Sequence, residues 1–321
     1  MINWGILGPG KIAHKFATGL KDVKGAKLYA VASREVEKAK IFSSEFNAEK
    51  SYGNYEELMQ DPDVDVIYIA TPHVFHHRQT IQCLQNGKAV LCEKPMGINA
   101  AEVEEMIKLA KEKNLFLMEA LWTQFLPHFE FVKHKITSGE LGKIKSLEAD
   151  FGFFKEFDPE SRLFNKSLGG GSLLDIGIYP IFLALELLGM PDEIVADAKF
   201  TETNVDSECI MEFQYPHNVK ASLFSTIQQE TPTTAEITLE KGKIHLDSRF
   251  HEPTSVKVFT PEDEKNFEFE IPSNGYYFEA KHVTEMLQQG KKESPLMSFE
   301  KSLNLISLID EVKSKIGLSY S

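Results

Sequence analysis

Ile2-Asn3-Trp4-Gly5-Ile6-Leu7-Gly8-Pro9-Gly10-Lys11-Ile12-Ala13 begins as an apolar β-type run, turns on two glycines and passes straight into a helical pattern. This is G-x-G-x-x-A in strand–turn–helix context. Gly8 allows the tight turn, Gly10 lets the backbone approach a pyrophosphate, and Ala13 permits close packing of helix on strand. The helix N-terminus at Lys11 and Ile12 then presents its N–H groups to the phosphates. A glycine triplet alone describes an ordinary strand-to-helix turn equally well. What favours a dinucleotide is its place at the first βα turn of a longer series.

Further apolar runs follow at Leu28–Ser33, Val64–Ala70, Ala89–Cys92 and Leu115–Met118. Amphipathic helical patterns separate them, near Ile12–Leu20, Glu35–Phe46, His76–Asn86 and Ala100–Lys113. Apolar strands joined by helical crossovers predict a parallel sheet covered on both faces, hence an α/β, doubly wound Rossmann domain over residues 1–121. After Leu121 the rhythm changes. Helices are expected at Pro127–Ser138 and Leu173–Leu188, and strands at Lys145–Phe151, Ile194–Phe200, Cys209–Phe213, Val219–Thr226, Ala235–Leu239, Lys243–Leu246 and Val256–Phe259. Helical stretches at Tyr277–Gln289 and Phe299–Ile316 follow. Successive strands without crossovers pair most simply as antiparallel neighbours, so residues 122–321 read as an α+β domain on an open, largely antiparallel sheet. Few helices remain to cover both faces of that sheet, which predicts a homodimer or a dimer of dimers.

The 321 residues carry a net charge of −13, with Lys far outnumbering Arg, a field that repels nucleic acid and anionic lipid surfaces. No uninterrupted apolar run approaches the roughly 18 residues of a membrane span, and the first residues lack a signal core, so the expected location is the cytoplasm. Cys83, Cys92 and Cys209 fit neither a disulfide framework nor a metal motif, and read as reduced, mostly buried thiols.

The second strand ends at Ala32-Ser33-Arg34, without the carboxylate that reads the ribose diol of NAD. A Ser33 hydroxyl, the Arg34 guanidinium and Lys38 one helical turn further on suit the 2′-phosphate of NADP instead, with NAD the less favoured cofactor. A solvated helix start is the plainer alternative. Lys94, in Glu93-Lys94-Pro95, projects from the C-terminal edge of the sheet, where ligands of α/β folds bind; read alone it is a surface charge. Gly169-Gly170-Gly171-Ser172-Leu173-Leu174-Asp175-Ile176-Gly177-Ile178-Tyr179 opens a helix on three glycines and sets Asp175 and Tyr179 on one face. Tyr179 can act as a general acid or base if an ammonium such as Lys94 lowers its pKa; alone it reads as a core tyrosine. His73, His76 and His77 lack the converging Cys or carboxylate ligands of a metal site, and no metal is expected. Trp122 and Phe125 stand at the change of rhythm, as substrate-facing or interdomain residues.

Together these residues resemble the glucose–fructose oxidoreductase/inositol dehydrogenase (Gfo/Idh/MocA) family. The likeness is carried by the glycine motif, Ala70-Thr71-Pro72 with His76, Gly87 to Pro95, and Gly169 to Tyr179. Within it the chain is most similar to the dimeric dihydrodiol dehydrogenase branch and its NADP-dependent D-xylose dehydrogenase relatives, through Tyr52–Leu58, Cys92–Val103, Leu115–Trp122 and Glu279–Val283. The resemblance implies a hydride-transferring oxidoreductase acting on a small sugar, polyol or diol. It also implies Thr71, Pro72, His76 and Glu93 beside the cofactor, Tyr179 as proton donor or acceptor, Lys94 as its partner, Asp175 as an orienting group, and a dimer formed through the open sheet. His73 departs from the family's usual Asn. A nucleotide-binding sugar sensor without turnover, or a glycosidase using the nicotinamide transiently, are the competing readings; the pairing of Lys94 with Tyr179 favours the dehydrogenase.

Overall fold

In the computed structural model, which describes residues 1–320, the apolar run Ile2–Leu7 is strand β1, and five more strands align parallel with it. These are β2 (Ala26–Ala32), β3 (Lys50–Tyr52), β4 (Val66–Ile69), β5 (Ala89–Glu93) and β6 (Leu117–Ala120), in the order 3-2-1-4-5-6. Leu7 lies opposite both Ala32 and Ile69, and the chain order reverses between β1 and β4, so the ends of these strands mark the position at which doubly wound sheets bind ligands. Strand β3 is absent from the sequence reading, since Lys50-Ser51-Tyr52 has no apolar run. The crossovers are α1 (Lys11–Leu20), α2 (Val36–Phe46), α3 (Tyr55–Gln60), α4 (His76–Gln85) and α5 (Ala100–Lys113). Asn54 and Asn99 cap α3 and α5 by accepting from the Glu57 and Glu102 N–H groups, while Asn47 and Asn114 end α2 and α5 in left-handed conformation.

The second unit contains α6 (Pro127–Thr137), β7 (Ile144–Gly152) and a π turn, Leu173–Gly177, that runs into α7 (Ile178–Leu188). Seven strands follow: β8 (Glu193–Phe200), β9 (Asp206–Tyr215), β10 (Val219–Thr226), β11 (Ala235–Leu239), β12 (Gly242–Leu246), β13 (Val256–Phe259) and β14 (Glu264–Phe267). With β7 they make an eight-stranded sheet ordered 14-13-12-11-7-10-9-8, antiparallel except where β7 meets β10. Side chains alternate along β10: Ala221, Leu223 and Ser225 are buried and Lys220 and Ser222 exposed. Helix α7 packs on β7 and β10. On β8 and β9, Val195 and Ile210 stay 51% and 55% exposed.

Two features add to the sequence reading. Within Lys166–Leu188 the most apolar 18-residue window has a mean hydropathy of 1.6, long and apolar enough by composition to cross a membrane, although 78% of that window is buried inside the protein. Its glycines and Asp175 interrupt the apolar run, which is why counting uninterrupted residues passes over it. The boundary at residue 121 also shifts: the two compact units are Met1–Phe125 with Ile271–Leu303, and Leu126–Glu270 with the chain from Asn304 onward. The returning segment brings α8 (Tyr276–Gln288) against α1, at Gly19, whose α-carbon faces the backbone of Tyr276 and Tyr277. Such a long-range return leaves no mark in local periodicity. Helix α9 (Phe299–Ile316) contributes to both units. All three cysteines are buried and free.

Candidate active site

At the switch point of the first sheet Gly8 has φ +92°, a left-handed value, and a Cβ there would stand 3.0 Å from Thr71 Cγ2. A side chain is disfavoured on both counts. At Gly10 a Cβ would meet no atom within 4 Å, so the backbone is open to a ligand. Gly10 caps α1 without a side-chain bond, and the first turn holds no acid, so its N–H groups and positive dipole end suit a pyrophosphate. Lys11 and Ile12 are exposed on this turn, and Ala13 is fully buried under it. The residues therefore fit a dinucleotide.

After β2, Ser33 is buried and its Oγ accepts from the Glu35 N–H at 3.2 Å, leaving the hydroxyl proton to donate; Arg34 is exposed. Lys38 is not the simple positive charge expected from sequence. It pairs with Glu35 at 2.7 Å in an exposed i,i+3 ion pair, close to the buried Ser33 and the exposed Arg34.

Beyond β4, Thr71 Oγ1 donates to Gln79 at 2.6 Å. The buried His76 ring lies between the carbonyls of Thr71 and Pro95, at 2.7 and 2.8 Å, and so joins the loops that follow β4 and β5. His73 is buried edge-on against His76 at 5.9 Å, whereas His77 bonds to Glu105 at 2.9 Å.

Lys94 leaves the end of β5 half-buried, next to Glu93, whose carboxylate accepts from the Tyr68 phenol. Burial, and then the Glu93 charge, hold the Tyr68 phenol well above its ordinary value. Two more carboxyls gather in this unit, neither singled out by sequence. Glu119 accepts from the Met96 N–H at 2.9 Å and is pushed up to about 7, chiefly by burial. Glu279 on α8 is fully buried and raised well above the carboxylate range by burial and by Glu93. A Glu within the apolar Leu115–Trp122 run was the available signal for the first. Trp122 stacks on Tyr276 at 4.3 Å and Phe125 on His282 at 4.8 Å, so both pack on α8 within the first unit.

In the second unit the π turn carries Asp175 and delivers Tyr179 into the first turn of α7. Tyr179 is 7% exposed, its ring 4.7 Å from His251 and 5.8 Å from Phe151, which stack on each other at 4.1 Å. Asp175 accepts a 2.8 Å bond from Arg162. Arg249, held in the left-handed region at φ +63°, binds Glu252 and also interacts electrostatically with Tyr179; Glu252, first, and then Tyr179 raise its guanidinium above the ordinary value. Arg162, Arg249 and His251 were not foreseen: Arg162 opens a short 3-10 turn within the irregular stretch before the glycines, and Arg249 and His251 come from a connection about 70 residues further along the chain than Tyr179.

The first unit is thus a dinucleotide-binding domain, and the second holds a buried phenol among charged and aromatic groups, a combination that defines a nicotinamide-dependent oxidoreductase. Family models agree: "Oxidoreductase family, NAD-binding Rossmann fold" matches residues 2–121, and "GFO/IDH/MocA C-terminal domain" matches residues 129–245. The chain belongs to the GFO/IDH/MocA family of oxidoreductases. It is 39% identical to a trans-1,2-dihydrobenzene-1,2-diol dehydrogenase of Xenopus tropicalis and 36% to that of Homo sapiens, each over 99% of this chain and 98% of the relative. Among solved structures it is similar to KijD10, a 3-ketoreductase from Actinomadura kijaniata in complex with NADP and TDP-benzene, with 27% identity, a TM-score of 0.88 and 98% of both chains covered. An aldose-aldose oxidoreductase from Caulobacter crescentus shares the fold, at 24% identity and a TM-score of 0.89 over 98% of this chain and 97% of that one. The protein is an NAD(P)-binding dehydrogenase.

Proposed function

We propose that this dehydrogenase uses NADP and acts on a hydroxyl-bearing carbon of a small sugar, polyol or trans-dihydrodiol, with Tyr179 transferring the proton. The observation that carries the reading is the setting of Tyr179: a buried phenol on a glycine-rich turn, near the Arg249 charge and on the same segment as the Arg162-bound Asp175. When bound, the nicotinamide supplies or accepts the hydride. Tyr179 takes the proton of the alcohol in oxidation and returns it to the carbonyl in reduction. A nearby cation favours the ionised phenol, the part assigned to Lys94 together with anchoring the substrate hydroxyl. Asp175 orients a further hydroxyl. Ser33 and Arg34 support NADP, as does the NADP held by the 3-ketoreductase, and the names of the curated relatives support a diol.

The same reading extends to a homodimer, or dimer of dimers, formed through the open face of the second sheet, and to a cytoplasmic location in keeping with three unpaired thiols. A spectrophotometric screen of NADP and NAD reduction across trans-1,2-dihydrobenzene-1,2-diol, aldoses, polyols and inositols tests the substrate class. With the best substrate, Tyr179→Phe should keep the fold and lose roughly 10²–10⁴ in turnover, and Lys94→Ala should be comparably damaging. Near-wild-type turnover in Tyr179→Phe would refute the acid/base role.

A further inference from the structure

Asp206, the first residue of β9, is a fully buried carboxyl to which the proposed chemistry gives no task. Its Oδ2 accepts two 2.7 Å hydrogen bonds, from Ser172 Oγ and from the backbone N–H of Leu173. Leu173 opens the π turn, so Asp206 does from a neighbouring strand what a capping side chain does from within a helix. The other carboxylate oxygen is fitted as closely: Gly171 has φ +114°, and a Cβ there would come within 2.2 Å of Oδ1.

Further ties secure the same turn. Ser172 Oγ lies 3.0 Å from Ser225 Oγ on β10, and a Cβ at Gly177 would sit 3.0 Å from that same Ser225 Oγ. The π turn is therefore held at its start by Asp206 and abutted at its end by Ser225. Tyr320 bonds through its hydroxyl to the Gly170 carbonyl at 2.7 Å, and a Cβ at Gly171 would meet that hydroxyl at 3.3 Å. Gly170 and Gly171 in turn donate to Asn165 and Leu163 at 3.0 and 2.8 Å.

We infer that Asp206 and Tyr320 are positioning residues for catalysis: together they fasten the Gly169–Ser172 turn so that the π turn presents Asp175 and Tyr179 in one orientation. The inference rests on the acid/base reading of Tyr179. Its physical ground is that three consecutive glycines cost much entropy to order and that a π turn is a rare alternative to the ordinary helical turn, so little in the segment itself holds a single conformation. The fastening comes from outside, through β9, β10 and the chain after α9. A displacement of about 1 Å in a reacting group can cost roughly 10²-fold in rate, so a loosened turn would be felt in turnover.

The test compares Asp206→Ala with Asp206→Asn, uses Ser172→Ala and Tyr320→Phe as deletions of single hydroxyls, and takes Tyr179→Phe as reference. Turnover is read as NADP reduction with trans-1,2-dihydrobenzene-1,2-diol and with D-xylose, cofactor affinity by NADPH fluorescence titration, and the turn by amide hydrogen exchange of the peptide spanning 169–182. Asp206→Ala should lower kcat by about 10–100-fold, leave KM and NADPH affinity within about threefold, and speed exchange from Leu173 onward. The amide oxygen of Asp206→Asn still accepts from Ser172 and Leu173, so this variant should recover most of both kcat and protection. Ser172→Ala and Tyr320→Phe should give smaller changes in the same directions, and they decide the matter by the same readouts if Asp206→Ala does not fold. Unchanged exchange, faster exchange with unchanged kcat, or an Asn variant as impaired as Ala would each overturn the inference. Full turnover in Tyr179→Phe would instead defeat the acid/base reading, and if neither probe is oxidised the exchange rates alone decide whether Asp206 fastens the turn.

Discussion

Asp206 shows how one side chain can link pH to stability. Burial outweighs its hydrogen bonds and pushes its carboxyl from the ordinary 3.8 up to about 7. Because the folded state holds the proton more tightly than the unfolded chain, this group's contribution is complete below about pH 4 and is lost as pH rises through about 7. Asp206→Asn should therefore flatten the fall in unfolding free energy between those limits, by up to about 4 kcal/mol for a fully buried group. Glu119, also pushed up to about 7, adds to the same window, so the slope should shrink rather than vanish. Denaturant unfolding of both proteins from pH 4 to 8 checks this; parallel curves would show that Asp206 does not titrate there. Cofactor choice belongs to the same scale. If Ser33 and Arg34 read the 2′-phosphate as proposed, one charge-assisted bond should yield about tenfold or more in kcat/KM for NADP over NAD. Ser33→Asp with Arg34→Ala should reverse that ratio at fixed ionic strength. A wild-type preference for NAD would count against this site as the phosphate reader.

At the scale of elements, most of the helices and strands were legible because period and punctuation agree: α6, α9 and β13 begin at the residues where their patterns begin. What local pattern could not show were α3, β3 and β14, each too short or too polar to have a clear pattern, and the π turn, which shares its composition with an ordinary helix start. Nor could it show α8 returning to pack on α1. Gly19 tests that packing. Alanine is the better helix former, yet its Cβ would stand 2.6 Å from the Tyr277 backbone nitrogen and 2.9 Å from the Tyr276 carbonyl carbon, atoms that cannot turn aside. Gly19→Ala should destabilise the protein by about 1–3 kcal/mol, read from its denaturant midpoint. A midpoint equal to or above wild type would mean that α8 yields easily.

For the whole molecule, the second sheet makes the clearest claim. Val195 and Ile210 are more than half exposed, and Ile210 pairs across the sheet with Phe224. Beside them run the ion pairs Lys220–Glu212 at 2.8 Å and Lys199–Glu208 at 2.7 Å. An apolar patch rimmed by charge suits a self-complementary contact. Light scattering at micromolar concentration should show a dimer or tetramer, and Ile210→Asp should shift it to monomer while leaving the fold intact by circular dichroism. A wild-type protein that is monomeric throughout would overturn the proposed assembly.

The sequence by itself determined the Rossmann sheet, the glycine turn at Gly8–Ala13, and the candidacy of Lys94, Asp175 and Tyr179, since each is written in residues adjacent along the chain or in a repeating period. Only the tertiary structure decided that Glu35 engages Lys38, that the segment 271–303 belongs with the first unit, and that Asp206, Arg249, His251 and Tyr320 gather around the turn leading to Tyr179. Neighbours brought together by chain return are set by packing and buried hydrogen bonding. Neither leaves a periodic trace in the order of residues.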